Sequence, residues 1–181
     1  ISSWAGIAPQ SLFIVDEAYL AFAPNVESAL QLERENMLII RSMTKDYALA
    51  GLRLGYALGA PKIIRALKSV RPPWHVNAMA QAAGLAALRD DAHLQKTLAQ
   101  LRKLKTSFTQ KIKTLGYALV PSETHFFLIH VGNAKNFRGR LLEEGIQVRD
   151  CASFGLPEHI RIATRLPEEN ERLLNALRKI S

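Results

Sequence analysis

Ser42-Met43-Thr44-Lys45 follows an apolar run from Met37 to Arg41, and Arg53 comes soon after, flanked by Gly51 and Gly55. Upstream, the run Leu12-Phe13-Ile14-Val15 ends in Asp16-Glu17-Ala18-Tyr19. These residue types complement one another chemically. A lysine amine condenses with an aldehyde, and a carboxylate keeps a nearby ring nitrogen protonated. A tyrosine hydroxyl serves a phenolic oxygen, while hydroxyls with a guanidinium suit a phosphate. Lys45, Asp16, Tyr19, and Ser42 with Arg53 match these four demands in turn, with Thr44 alongside.

Each residue also has an ordinary alternative. Lys45 taken alone is a surface lysine, and its position at a strand end beside Ser42 is what argues for chemistry. Asp16-Glu17 after an apolar strand resembles a metal-binding nucleotide-hydrolase segment, but no Gly-x-x-x-x-Gly-Lys-Ser/Thr loop accompanies it. Tyr19 can pack in a core with its hydroxyl satisfied. Arg161 can serve a structural ion pair, and Arg149 can be held by the turn at Arg149-Asp150-Cys151.

The elements that position these residues begin with a helix end and turn, then a strand from Ser11 to Val15. A second strand spans Met37 to Arg41, and both are apolar throughout, as in parallel sheets covered on both faces. The intervening Val26 to Arg34 has helical character, giving a strand–helix–strand unit with Asp16 and Ser42 at strand C-terminal ends, where open α/β sheets bind ligands. A third strand covers Leu54 to Leu58, Pro61 opens a helix from Lys62 to Val70, and Pro72-Pro73 ends it. An alanine-rich helix follows Asn77 and runs to Leu88.

From Ala92 to about Leu115 the pattern is a long amphipathic helix with Gly116 as its stop. Strands are then expected at Tyr117 to Val120, Phe126 to Val131, Gln147 to Arg149 and Ile160 to Thr164, with helices at Lys135 to Glu144 and Glu168 to Ile180. This predicts an α/β first domain, residues 1–91, and a smaller α+β domain, residues 92–181. The few core-type strands of the first domain would leave an apolar face and a sheet edge uncovered, so a preceding segment is expected.

With 181 residues and 48% apolar content the chain can bury a substantial core. No apolar stretch suits a membrane span, the opening residues lack a signal-peptide pattern, and the single cysteine, Cys151, fits a reducing cytoplasm. The five histidines show no metal-ligand spacing, so no metal is expected. A formal charge of +8 raises nucleic-acid binding, but Lys and Arg concentrate between Lys96 and Lys113, where a solvated helix face accounts for them. No nucleic-acid partner is expected; the excess suits an anionic substrate.

Taken together, these segments resemble the class I/II aminotransferases, fold-type I enzymes that use pyridoxal phosphate. The resemblance implies that Asp16 pairs with the pyridine nitrogen and Tyr19 bonds the phenolic oxygen. It implies that Lys45 is the Schiff-base lysine, with Ser42, Thr44 and Arg53 around the phosphate. Arg161 in His159-Ile160-Arg161-Ile162 falls where the family carries the arginine that grips the substrate carboxylate, and Arg149, read from its own turn, is a weaker second candidate for the substrate. The implied fold is α/β, part of a parallel-sheet large domain followed by the small domain.

Family members are roughly twice this size. Their amino-terminal half carries the glycine-containing phosphate loop, the aromatic ring stacked on the cofactor and an Asn at the phenolic oxygen. The chain is therefore expected to be a carboxyl-terminal half, inactive alone, whose partners are the missing amino-terminal half of the same enzyme and, in a homodimer, a second copy of that enzyme. Pro73-Trp74-His75-Val76-Asn77 and Arg149-Asp150-Cys151 are similar to the histidinol-phosphate aminotransferase and threonine-phosphate decarboxylase group, implying a phosphorylated amine or amino acid as substrate. Transamination is the expected activity. Arg165 after Ile162-Ala163-Thr164 leans toward the decarboxylases of cobalamin synthesis, and His125 departs from the Asn common in the family.

Overall fold

The computed structural model describes residues 8–180, and the chain divides into two compact units at Gln95 and Lys96. The expected helix end at the start of the chain lies largely outside the described residues.

In the first unit, β1 (Phe13–Asp16), β2 (Met37–Ser42) and β3 (Gly55–Gly59) form a sheet in that order. β1 and β2 are parallel, pairing Phe13 with Met37 and Val15 with Ile39. The third strand departs from a purely parallel arrangement: β3 runs antiparallel to β2, pairing Arg41 with Tyr56 and Ser42 with Gly55. The connection from Met43 to Leu54 carries only a 3-10 turn at Ala50–Leu52 and no crossover helix, as suits an antiparallel return.

One face of this sheet is covered. Met37 and Ile39 are buried with Ala29, and Phe13, Val15, Leu32 and Leu58 pack against them. The opposite face exposes Leu12, Ile14 and Ile40, so β1 is not buried on both sides as its unbroken apolar run predicts; Ile14 is 61% exposed. The expected helix at Val26 to Arg34 is also absent. The crossover holds two 3-10 turns, Leu20–Phe22 and Ala29–Leu32. The second is stopped by Glu33 in the left-handed region, and its first donors go to side chains: Ala29 N–H to Glu17 and Leu30 N–H to Ser28. A turn whose opening donors are satisfied this way does not need to extend into an α-helix.

Two helices complete the unit, α1 (Pro61–Val70) with Pro at its first position and α2 (Ala78–Leu88), capped by Asn77 Oδ1 accepting from Ala80 N–H at 2.8 Å. Gly84 lets α2 approach the segment after β2, because a Cβ there would collide with the Leu54 side chain, with Met43 Sδ in ordinary contact beside it. Ala80 and Met43 are buried in consequence.

α3 (Asp91–Thr114) leads into the second unit. There β4 (Leu119–Val120), β5 (Phe126–His130), β6 (Arg149–Asp150) and β7 (His159–Ala163) form an antiparallel sheet in the order β4-β5-β7-β6. Alternation along the strands turns Phe127, Ile129, Ile160 and Ile162 to one face. Phe108 and Ile112 of α3, Phe137 and Leu141 of α4 (Ala134–Glu143), and Leu173, Leu174 and Leu177 of α5 (Pro167–Ile180) close over it. Each such buried side chain contributes about 1.5–3 kcal/mol relative to exposure. Among the described residues no helix is long and apolar enough to cross a membrane.

Candidate functional site

Strand parity decides which side of the first sheet carries chemistry. On β1 the side chains of Phe13 and Val15 face the core, so Asp16 emerges on the open face at the strand's C-terminal end. Its Oδ1 accepts the Ala18 N–H at 2.8 Å, an Asx turn that bends the chain toward Tyr19. Ser42, at the matching end of β2, has the parity of exposed Ile40.

After Ser42 the backbone turns sharply and is held by Met43 N–H donating to Leu54 O at 3.1 Å and Leu49 N–H to Met43 O at 3.2 Å. The turn gathers three polar side chains. Ser42 Oγ and Thr44 Oγ1 are 2.7 Å apart, Thr44 N–H donates to Ser42 Oγ at 3.3 Å, and Lys45 Nζ donates to Thr44 Oγ1 at 3.2 Å. Lys45 Nζ also lies 5.9 Å from the centroid of the Tyr19 ring, which links this turn to the end of β1. Tyr19 in turn packs on Phe22, with ring centroids 6.1 Å apart.

Arg53 reaches the same end of the sheet by another route. It ends a 3-10 turn at Ala50–Leu52 with φ 53°, in the left-handed region, and donates from Nη1 to Ala50 O at 3.1 Å. Holding a non-glycine residue there costs about 1–2 kcal/mol, a cost seen where loops are built for binding. Gly55 makes the pairing with Ser42 possible: a Cβ at Gly55 would sit 2.7 Å from Arg41 O. Asp16, Tyr19, Ser42, Thr44, Lys45 and Arg53 thus all stand at one end of one sheet.

Behind this end lies a cluster that the sequence reading missed. Glu17 is 9% exposed and accepts from Ser28 Oγ on both carboxylate oxygens, at 3.0 and 2.9 Å, and from Ala29 N–H at 2.6 Å. Arg41 donates from Nε to Glu17 Oε2 at 3.1 Å and from Nη2 to Ser28 Oγ at 2.9 Å, and its Nη2 lies 3.0 Å from Glu17 Oε2 as an ion pair. Burial opposes the charge on Arg41, but hydrogen bonds with Tyr56 and Glu17 outweigh it and its pKa sits above the ordinary value. One signal was legible: Glu17 and Arg41 carry charge at positions of core parity, continuing Phe13-Val15 and Met37-Ile39.

In the second unit Arg149 and Arg161 are directly opposed across β6 and β7. Both line a cavity of about 400 Å³ together with Val148, Arg165, Asn170 and Arg172. Each guanidinium lies over a ring, Arg161 Cζ 5.1 Å from the Phe126 centroid and Arg149 Cζ 5.4 Å from that of Phe154, and Arg149 Nη2 donates to Ser153 Oγ at 3.0 Å. Aromatic stacking leaves the hydrogen-bonding edge of a guanidinium available. Arg165 is instead engaged by Glu169, at 2.7–3.2 Å. Burial pushes the Cys151 thiol pKa up. Among the described residues no group of three or more His, Cys, Asp or Glu is arranged to hold a metal ion.

A family model described as Aminotransferase class I and II matches residues 7–177. The histidinol-phosphate aminotransferase of Symbiobacterium thermophilum is 41% identical over 175 residues, covering 95% of this chain and 48% of that protein. The crystal structure of histidinol-phosphate aminotransferase from Sinorhizobium meliloti in complex with pyridoxal-5'-phosphate superposes with a TM-score of 0.87 at 27% identity, covering 99% of this chain and 51% of that one. The L-threonine-O-3-phosphate decarboxylase of Porphyromonas gingivalis gives 0.85 at 27% identity, covering 98% of this chain and 57% of that one. The chain spans about half the length of the curated relatives it matches.

Proposed function

Because the chain belongs to the class I and II aminotransferases, a family that works with pyridoxal phosphate, we propose that it is the carboxyl-terminal part of an aminotransferase acting on histidinol phosphate or a similar phosphorylated amine. The observation that carries this reading is the convergence of Lys45, Thr44, Ser42 and Tyr19, with Asp16, at the C-terminal ends of β1 and β2.

The residues fit the cofactor. An amine, a hydroxyl pair, a carboxylate on the open face and an exposed arginine supply each kind of group the molecule needs, and the Thr44 hydroxyl, 2.7 Å from Ser42 Oγ, accepts from the Lys45 amine at 3.2 Å. Lys45 would bond the cofactor covalently, Asp16 would hold the proton on its ring nitrogen, and Tyr19 would donate to its phenolic oxygen. Ser42, Thr44 and Arg53 would hold its phosphate. Bound in this way, pyridoxal phosphate supplies an electron-withdrawing ring for the carbon next to the substrate nitrogen. Lys45 would serve there as general base and acid, moving the proton at that carbon. Arg149 and Arg161 would take the substrate's anionic group: two guanidinium forks on one sheet face suit a phosphate, and histidinol phosphate has no carboxylate.

In this reading the complete enzyme is a cytoplasmic homodimer, and an amino-terminal half completes the cofactor shell and covers the apolar face marked by Leu12, Ile14 and Ile40. A second reading, decarboxylation of threonine phosphate, is favoured by the similarity to the Porphyromonas gingivalis protein. Both reactions use the same groups, and they differ in which substrate bond stands perpendicular to the ring. The test is to supply the full-length protein and pyridoxal phosphate with histidinol phosphate plus a 2-oxo acid, or with threonine phosphate alone. Amine transfer from histidinol phosphate is the expected result. Carbon dioxide release from threonine phosphate without amine transfer selects the second reading, and failure to take up the cofactor rejects both.

A further inference from the structure

We propose that Glu17, Ser28 and Arg41 are positioning residues, a polar clamp on the covered face of the first sheet that sets the spacing of Asp16 and Ser42 on its open face. The proposal rests on the cofactor reading above. The clamp and the cofactor-facing groups alternate along the same two strands. Asp16 and Glu17 are consecutive at the end of β1, and Arg41 and Ser42 are consecutive at the end of β2, so in each pair one side chain faces forward and one back.

The register brings the rear pair together. Phe13 opposes Met37 and Val15 opposes Ile39; Glu17 N–H then donates to Ile40 O at 2.8 Å, extending the parallel pairing by one step so that Glu17 stands beside Arg41. Arg41 in turn opposes Tyr56 on β3. A line of polar groups therefore crosses all three strands directly behind the site.

The carboxylate is fully committed. One oxygen accepts from Ala29 N–H and the other from Arg41 Nε, with Arg41 Nη2 3.0 Å away as an ion pair, while Ser28 Oγ donates to both. Through these bonds Glu17, the residue that follows β1, is tied to β2 and also to the crossover between them. Net stability does not account for such a cluster, since buried ion pairs often stabilise no more than apolar residues of similar volume. What it does provide is fixed geometry. A relaxed β1–β2 spacing at this end would move the carboxylate of Asp16 relative to the Ser42-Thr44 hydroxyls, and a displacement of about 1 Å in a binding constellation costs on the order of 100-fold in rate.

The test uses the full-length protein and three variants, Glu17→Gln, Arg41→Lys and Ser28→Ala. Pyridoxal phosphate is titrated by visible absorbance, the orientation of the bound cofactor is read from its visible circular dichroism, and thermal unfolding of the cofactor-free proteins is followed separately. Glu17→Gln and Arg41→Lys are expected to weaken cofactor affinity by about 10-fold or more, the scale seen when supporting hydrogen bonds behind a bound group are removed, and to alter the visible dichroism. Ser28→Ala, which leaves the ion pair in place, should show the same change to a smaller degree. It carries the test if Glu17→Gln does not fold. Lower thermal stability with wild-type affinity and wild-type dichroism would make the cluster merely structural and overturn the proposal. A wild-type protein that takes up no cofactor would overturn the functional reading and this role together, whereas normal uptake with silent variants overturns the positioning role alone.

Discussion

Lys45 Nζ stands 5.9 Å from the centroid of the Tyr19 ring, joining the turn after β2 to the end of β1 across the sheet. The amine thereby stands at the same end of the sheet as the Asp16 carboxylate, which Tyr19 follows in sequence. Reduction of the full-length protein with borohydride in the presence of pyridoxal phosphate should leave a pyridoxyl group on Lys45, located by peptide mass analysis. A group found solely on another lysine would reject the assignment.

Asp16 is expected to govern the electronics of the cofactor more than its retention. In Asp16→Asn the charge opposite the ring nitrogen is lost, so turnover at saturating cofactor should fall by about 100- to 1000-fold, the scale of losing one electrostatic contact to the reacting system. Near-normal turnover under those conditions would show that Asp16 does not face the nitrogen.

Gly55 is a steric requirement of the β2–β3 reversal, since an added Cβ would meet Arg41 O at 2.7 Å. Gly55→Ala should cost about 1–3 kcal/mol, the usual range for overpacking, and weaken cofactor binding because Ser42 is its strand partner. Chemical denaturation measures the first effect and cofactor titration the second. An unchanged denaturation midpoint would mean that β3 accommodates the methyl group.

At the substrate end, Arg161→Lys keeps the charge and loses the fork. Substrate binding should weaken by roughly 1.5–3 kcal/mol, the scale of a hydrogen bond to a charged group, with the visible spectrum of the bound cofactor unchanged. Unaltered affinity would remove Arg161 from the substrate site; an altered spectrum with normal substrate binding would move it to the cofactor.

Cys151 is 1% exposed, and burial raises its pKa. A raised pKa lowers the thiolate fraction at any given pH, and the thiolate is the reactive form. A thiol reagent at neutral pH should therefore modify Cys151 only at the rate of unfolding, and faster labelling of the folded protein would contradict its burial.

Much of this protein follows from short-range sequence information. Three of the helices start where Pro61, Asn77 and Pro167 dictate, because capping and proline geometry act within one turn. The turn from Ser42 to Lys45 is equally local, since its hydroxyls and amine meet within three residues. Other features depend on register between distant segments, which no local pattern encodes. The reversal of β3, the one-sided exposure of β1, the opposition of Arg149 to Arg161, and the meeting of Glu17 with Arg41 and Ser28 all belong to this class. The charges of Glu17 and Arg41 at core-parity positions were visible in the chain, but only strand pairing decided that each would neutralise the other. A side chain's face is set by alternation along its own strand, whereas its neighbour is set by how the strands align.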